Sequence, residues 1–421
     1  MSPRPRALVV GGSVGGLFAA NLLRSIGWDV VVFERSAGDL ASRGTGIGAS
    51  EALFAVMRRV GVRLDPSIGI PVRSRLCLDR GGNVIAEVPT SDITTAWARI
   101  YRSLKDVLPA EHCHFNLAVK RVDQDAHGVT AELTDGSRVT GDLLIAADGL
   151  DSTVRRQVLP EIAPRYAGYV AWRGVIEGRD TPTEIQARLF EHVTFCFAEG
   201  ELLLAMPNPG AGDDTRPQGR RYYFAWYRPV DAEALPRLCT DSTGRQHGVA
   251  IPPPLIRPEV IQDLKRSAEQ VLAPQMAAVV SRTEQPLLQA VFDLEAPQVV
   301  FGRVALLGDA AFVARPHVAA GVTKAALDAQ SLIEALAASA GDLDRALTRY
   351  DREQRSFGCR LVARGRLLGA HLEARRKPPE QARGTTRDLV PDTYMREYGA
   401  DDLIAERHRQ LVDGHASHRD A

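Results

Sequence analysis

The feature that most narrows what this chain can fold into lies in its first 34 residues. Ala7-Leu8-Val9-Val10 is a continuous apolar run of the kind a strand buried on both faces requires. Residues 17–26 read as a buried or amphipathic helix, and Val30-Val31-Val32-Phe33 as a second buried strand. Between the first strand and the helix stands Gly11-Gly12-Ser13-Val14-Gly15-Gly16. Such a βαβ unit sets free backbone amides at a helix N-terminus, where they can receive a pyrophosphate. Glu34 closes the second strand 18 residues after Gly16, where a carboxylate meets a ribose hydroxyl pair. Ser13 replaces the middle glycine of G-x-G-x-x-G; it adds bulk where phosphate approaches, and also a hydroxyl that can donate to it. Helix–strand packing alone would explain the glycines but not Glu34.

Buried-strand signatures recur at residues 143–147 and 304–307, so the opening unit is completed far along the chain. Hairpins are expected about Asp79-Arg80-Gly81-Gly82 and Asp135-Gly136, and long helices over 323–338 and 343–372. Between residues 166 and 291 the pattern changes to longer alternating strands broken by a Gly/Pro/Asp-rich loop at 207–219, which reads as an inserted, mainly β domain. Beyond Arg375, sparse apolar residues among Arg, Pro, Glu and Asp suggest a surface arm or partly helical tail, a solvated extension being the plainest reading.

A length of 421 residues suggests two or three domains at about 150 residues each. Lys+Arg and Asp+Glu are equal at 52, which removes the usual electrostatic argument for nucleic acid or a membrane surface. Five cysteines without a C-x-x-C pair support neither a zinc site nor a disulfide framework, and fit a cytoplasmic protein. No apolar run is long enough to cross a bilayer.

Two further stretches each follow a buried strand: Asp148-Gly149-Leu150-Asp151-Ser152-Thr153-Val154-Arg155-Arg156 and Gly308-Asp309-Ala310-Ala311. With the opening loop, in this order and spacing over roughly residues 6–370, they resemble the signatures of the FAD-dependent aromatic hydroxylases of the para-hydroxybenzoate hydroxylase type. Tyr166-Ala167-Gly168-Tyr169-Val170-Ala171-Trp172-Arg173-Gly174-Val175, Arg315-Pro316-His317 with Gly321, and Gly44-Thr45-Gly46-Ile47 are most similar to the hydroxypyridine-hydroxylating members. The resemblance implies an α/β (overall α+β) fold with a Rossmann-like FAD-binding domain, an inserted mainly antiparallel substrate sheet and C-terminal helices. Its boundaries would be 1–70, 97–164 and 296–374 for the FAD-binding domain, 71–96 and 165–295 for the substrate domain, and 375–421 for the arm.

It further implies that Gly11, Gly12, Ser13 and Gly16 hold the FAD pyrophosphate and Glu34 the adenosine ribose, with Arg35 flanking it and Val119 on a strand near the adenine. Asp309, after Gly308, would contact the ribityl chain or pyrophosphate, and Asp148 with Gly149 would support the flavin side. Gly46 belongs to a glycine-rich stretch read as a flavin-side loop. Pro316 stiffens the turn before the helix that opens at Gly321 and Val322, whose positive end would face the flavin N1/C2 edge. Departures from the family are Phe312 for a common His, Thr323 for Asn, and Tyr101 for Arg, with Arg99 and Arg102 nearby.

No side chain activates dioxygen readily, so the chemistry belongs to the cofactor. The resemblance implies NAD(P)H as a transient co-substrate and hydroxylation of a small electron-rich aromatic or N-heteroaromatic ring through a flavin C4a-hydroperoxide. His317 is the first candidate to meet substrate, since imidazole titrates near neutrality and accepts a phenolic proton; an ordinary loop histidine is the competing reading. Tyr222 and Tyr223 alternate on a strand, so at most one faces the site; Tyr222 is the candidate catalytic residue, with core packing the competing reading for each. Arg173 could orient an anionic substrate or form a surface ion pair. The partners expected are substrate and dioxygen, with no nucleic acid, membrane insertion or metal, and a homodimer left open. A flavin halogenase, reductase or desaturase and a non-catalytic flavin module are the alternatives; the four tryptophans form no W-x-W-x-I-P pattern.

Overall fold

A computed structural model describes residues 4–43, 46–373 and 390–416. Gly44 and Thr45 of the glycine-rich stretch, and residues 374–389 and 417–421 of the expected arm, lie outside the described residues. The strand Arg6–Val10 occupies the interior of a six-stranded sheet, paired in parallel with Asp29–Glu34 on one side and Leu143–Ala146 on the other. Cys113–Phe115 and Val304–Leu306 extend the sheet in parallel, and Val300–Phe301 adds an antiparallel edge. Ala7, Leu8 and Val9 are fully buried, as strands covered on both faces must be. Because the strands that follow in sequence and in space lie on opposite sides of Arg6–Val10, its carboxyl end is where connections diverge and a ligand crevice opens.

The helix begins at Val14, three residues before the expected start, so the glycine turn itself opens it. Gly11 has φ +107°, and a Cβ there would stand 2.3 Å from the Ala147 carbonyl oxygen. At Gly16 a Cβ would stand 1.9 Å from the Gly11 carbonyl oxygen. Both positions therefore let backbone approach backbone where two strands and a helix meet.

The second large sheet is nine-stranded and mixed: its long strands Arg165–Glu177, Arg221–Pro229 and Leu287–Glu295 pair antiparallel, whereas His192–Ala198 and Ser74–Leu78 pair in parallel. Period-two alternation gives it two different faces. Tyr222, Phe224 and Trp226 pack against the helices Pro258–Val271 and Pro274–Arg282, while Tyr223, Ala225 and Tyr227 share the other face with Tyr169, Leu368 and Tyr394. The 71–96 stretch divides: Ser74–Leu78 and Val84–Pro89 join this sheet, but Ile93–Ala96 pairs with Gly46–Ala49 and Ile70–Pro71. Gly46 is therefore on a strand, which corrects the loop expected there.

Over its described part the arm is the partly helical tail expected, and only the solvated reading is corrected. Pro391–Glu397 and Asp401–Ala416 are helices, and Tyr394 and Met395 are fully buried. Arg75 secures the segment: it donates to the Met395 carbonyl at 2.6 Å and the Tyr398 carbonyl at 3.1 Å, and pairs bidentately with Asp92. Composition misled because a short segment with few apolar residues is held by those few and by its own backbone carbonyls. No described helix is long and apolar enough to cross a membrane.

Gly16→Ala should lower the unfolding midpoint by at least about 5 °C, because neither backbone can retreat. Gly38→Ala, whose Cβ would meet nothing within 4 Å, should leave it unchanged in the same scan.

Candidate functional site

At the carboxyl end of the six-stranded sheet, the Glu34 carboxylate is buried and accepts the Gly12 and Ser36 amides, each at 2.8 Å. Each oxygen keeps a further lone pair for a hydroxyl donor. Ser13 is the N-cap of Val14–Ser25 in extended conformation, and its side chain makes no capping bond, so the first helical amides are left to a ligand. Across the sheet, Asp148 Oδ2 accepts the Thr153 amide at 2.7 Å, while its Oδ1 is buried without a partner. Arg155, fully buried, joins the next two stations by donating to the Leu150 and Ala310 carbonyls at 2.6 and 3.2 Å. Asp309 is solvent-exposed yet ringed by protein, and that surrounding pushes its carboxyl above the ordinary range.

These residues fit FAD on observations of the structure itself. A cradle that Cβ atoms would fill, uncapped helix amides, a buried carboxylate at one end, and an orphaned acceptor and a second, accessible carboxylate farther along suit a long polar cofactor. Gly149 and Gly321 face open space, with nothing within 4 Å of an added Cβ, and Val322 is half-buried at the start of Gly321–Ala337. Arg35 is exposed beside Glu34. The Val119 side chain packs into the core, leaving only its backbone for any adenine contact.

The turn Pro316–Val318 brings His317 against the substrate-sheet face, but not as a titrating loop histidine. Its ring is fully buried, with Nε2 2.9 Å from the Tyr169 hydroxyl and Nδ1 3.1 Å from the Tyr394 hydroxyl. Burial holds its pKa well below the ordinary value, reinforced by repulsion from His371, Arg315 and Arg173. This corrects the expectation of titration near neutrality: His317 is a neutral brace between two phenols. Half-buried Pro316 initiates that turn.

Arg173 shares the Tyr169 and Tyr223 face, donating Nε to Gln289 Oε1 at 2.9 Å and one terminal nitrogen to the Tyr223 hydroxyl. No carboxylate is among its partners in the described residues, so the surface ion pair does not form. Tyr222 is corrected. It points through the opposite face, where its ring stacks on Phe190 and its hydroxyl donates to Thr194. The departures are structural: Phe312 is buried, Thr323 lies 3.4 Å from the Ser50 hydroxyl, and Tyr101 stacks on Trp97. Arg99 and Arg102 reach Asp213, tying the 207–219 loop to the helix Trp97–Val107.

Tyr169, Tyr227, Tyr394, Tyr398 and His371 gather around His317 and were missed as a group. Alternation along 169–173 and 223–227 carries a signal for the sheet members. Nothing local marks the two from the C-terminal segment. A surface concavity of about 400 Å³ lined by Ala55, Arg59, Gln330, Glu334 and His408 includes none of these groups.

A family model described as FAD binding domain-like matches residues 166–293. The chain is 32% identical over 376 residues to a 2,6-dihydroxypyridine 3-monooxygenase of Paenarthrobacter nicotinovorans, covering 89% of this chain and 93% of that one. The solved structure of 2,6-dihydroxypyridine-3-hydroxylase from Arthrobacter nicotinovorans superposes with a TM-score of 0.83 at 31% identity, over 88% of this chain and 93% of that one. A single-substitution variant of Klebsiella pneumoniae HpxO complexed with FAD gives 0.74 at 26% identity, over 97% of this chain and 99% of that one.

The two buried imidazoles set an acid limit. His371 is held at about 4 by burial, and His317 is likewise depressed, whereas both return to about 6.5 in the unfolded chain. Below about pH 6.5 the unfolded chain therefore binds protons that the folded chain refuses. Stability should fall as pH drops from about 6.5 to 4, by about 1.4 kcal/mol per unit for His371, with a loss of the same sign from His317, and be fully present above it. Urea unfolding at pH 5 and 7 should show a smaller loss for His371→Gln than for wild type; equal losses would remove this assignment.

Proposed function

The chain belongs to the FAD-dependent aromatic-ring monooxygenases, and from that premise we propose that it hydroxylates a small, electron-rich hydroxy-aromatic or N-heteroaromatic ring bound as an anion, with hydroxypyridines the leading class. The observation that carries the anionic reading is Arg173, a recessed guanidinium with two neutral partners and no paired carboxylate among the described residues. The relatives named for 2,6-dihydroxypyridine support the ring class.

Over one cycle, ring C–H, O2, NAD(P)H and a proton become ring C–OH, water and NAD(P)+. Bound FAD supplies the hydride acceptance and dioxygen activation that side chains lack. Arg173 draws a deprotonated ring hydroxyl to the sheet face. Because Arg173 donates to the Tyr223 oxygen, the Tyr223 hydrogen is free to donate to the same ring oxygen. Neutral His317 fixes Tyr169 and Tyr394, and the aromatic wall around them keeps water from this side of the ring. The five cysteines, all free thiols in the structure, agree with a reducing cytoplasm.

Purified protein should show flavin absorbance, and hydroxypyridines should stimulate NADH or NADPH oxidation with formation of an oxygenated product. A charged hydrogen bond is worth about 1.5–3 kcal/mol, so Arg173→Met should raise KM about tenfold or more at unchanged FAD content. Tyr223→Phe should raise KM severalfold and Tyr222→Phe should not; an unchanged KM in Arg173→Met would discard the anionic reading.

A further inference from the structure

The ammonium of Lys324 is buried, and nothing in the chemistry above uses it. Its Nζ donates to the Gly308 carbonyl at 3.0 Å and to Asp328 Oδ2 at 2.6 Å. The same carboxylate oxygen accepts the Gly308 amide at 3.0 Å, so one ion pair clasps both backbone polar groups of one residue. The Gln354 amide takes the other Asp328 oxygen, and the Phe312 ring centroid lies 5.9 Å from Nζ. Lys324 is 3% exposed and Asp328 0%.

Stability alone is a poor reason for such a pair, since desolvation offsets attraction and apolar side chains of similar volume often serve as well. Its position supplies another. Gly308 has φ +64°, lies two residues beyond the buried strand Val304–Leu306 and immediately precedes Asp309. The surrounding protein and the nearby Asp328 both disfavour a charged Asp309, whereas Lys324 favours it.

We propose that Lys324 is a positioning residue for FAD: it locks the Gly308 turn that presents Asp309, and supplies the counter-charge that lets a carboxylate stand there beside Asp328. The inference rests on FAD occupying the groove that Asp309 lines. It assigns no contact between Lys324 and the cofactor.

The test is FAD dissociation from the holoenzyme, followed by the rise in free-flavin fluorescence on dilution and expressed as Kd. Lys324→Met should raise Kd at least tenfold. Because it leaves Asp328 uncompensated, the double variant Lys324→Met/Asp328→Asn removes both charges, while the carboxamide oxygen introduced in place of the carboxylate still accepts the Gly308 amide. That variant should recover the unfolding midpoint but keep a Kd raised at least fivefold; a midpoint and Kd both restored to wild type would make Lys324 merely structural and overturn the proposal. Asp309→Asn should raise Kd about tenfold in wild type and less than threefold in the Lys324→Met background, and full additivity would overturn it as well. Wild-type protein that neither retains nor takes up FAD would overturn the cofactor assignment itself, an outcome distinct from wild-type binding left untouched by the variants.

Discussion

Three parts of the chain that are far apart in sequence converge on the buried pair Arg315–Asp293. Arg315 donates to both Asp293 oxygens, between 2.9 and 3.2 Å, and its guanidinium lies 5.7 Å from the Tyr169 ring centroid. Asp293 belongs to the substrate-sheet strand Leu287–Glu295, and Arg315 immediately precedes the turn that carries His317. The long helix Leu343–Glu373 closes on the same point: Arg366 reaches Asp293 and Glu295, and a Cβ at Gly365 would stand 2.8 Å from the Arg315 amide nitrogen. An unpaired charge at this depth is far more costly than the pair, so the joint is all-or-none and fixes the turn against the sheet.

From that joint the electrostatics of the site follow. Arg315 and Arg173 both repel a proton from His317, and burial does the rest. A neutral imidazole can serve one phenol as acceptor and another as donor at once, which an imidazolium cannot. The tyrosine cluster thus depends on His317 staying uncharged, and Arg173 is left as a cation on that face without an anion among the described residues. A ligand that brings negative charge restores the balance, whereas a cationic ring meets repulsion.

How much of this could be read from sequence depended on whether the signal was local. The Gly11–Gly16 turn, Glu34 and the strands before Asp148 and Gly308 are short-range patterns dictated by backbone geometry, and the fold class followed from them. Alternation on 221–229 established that Tyr222 and Tyr223 part company, but not which side meets the turn, because register relative to a remote element is a tertiary fact. His317 was chosen for its ordinary titration, a property that its neighbours remove. Those neighbours include Tyr394, 77 positions away, in a segment whose polar composition hid its packing.

The C-terminal segment then has a particular place in the architecture. Its described residues contribute no strand to either large sheet, yet Tyr394 bonds His317 and the Gly399 amide donates to the His317 carbonyl at 3.0 Å. Its attachment to the substrate sheet runs through Arg75 on the strand Ser74–Leu78, largely by way of main-chain carbonyls. Attachment through carbonyls constrains the path of the segment without dictating its side chains. Side chains such as Tyr398 can therefore change while the path of the segment stays fixed. The sheet around Arg173 is held by its ladder of strand pairings, and the C-terminal segment by its own backbone carbonyls.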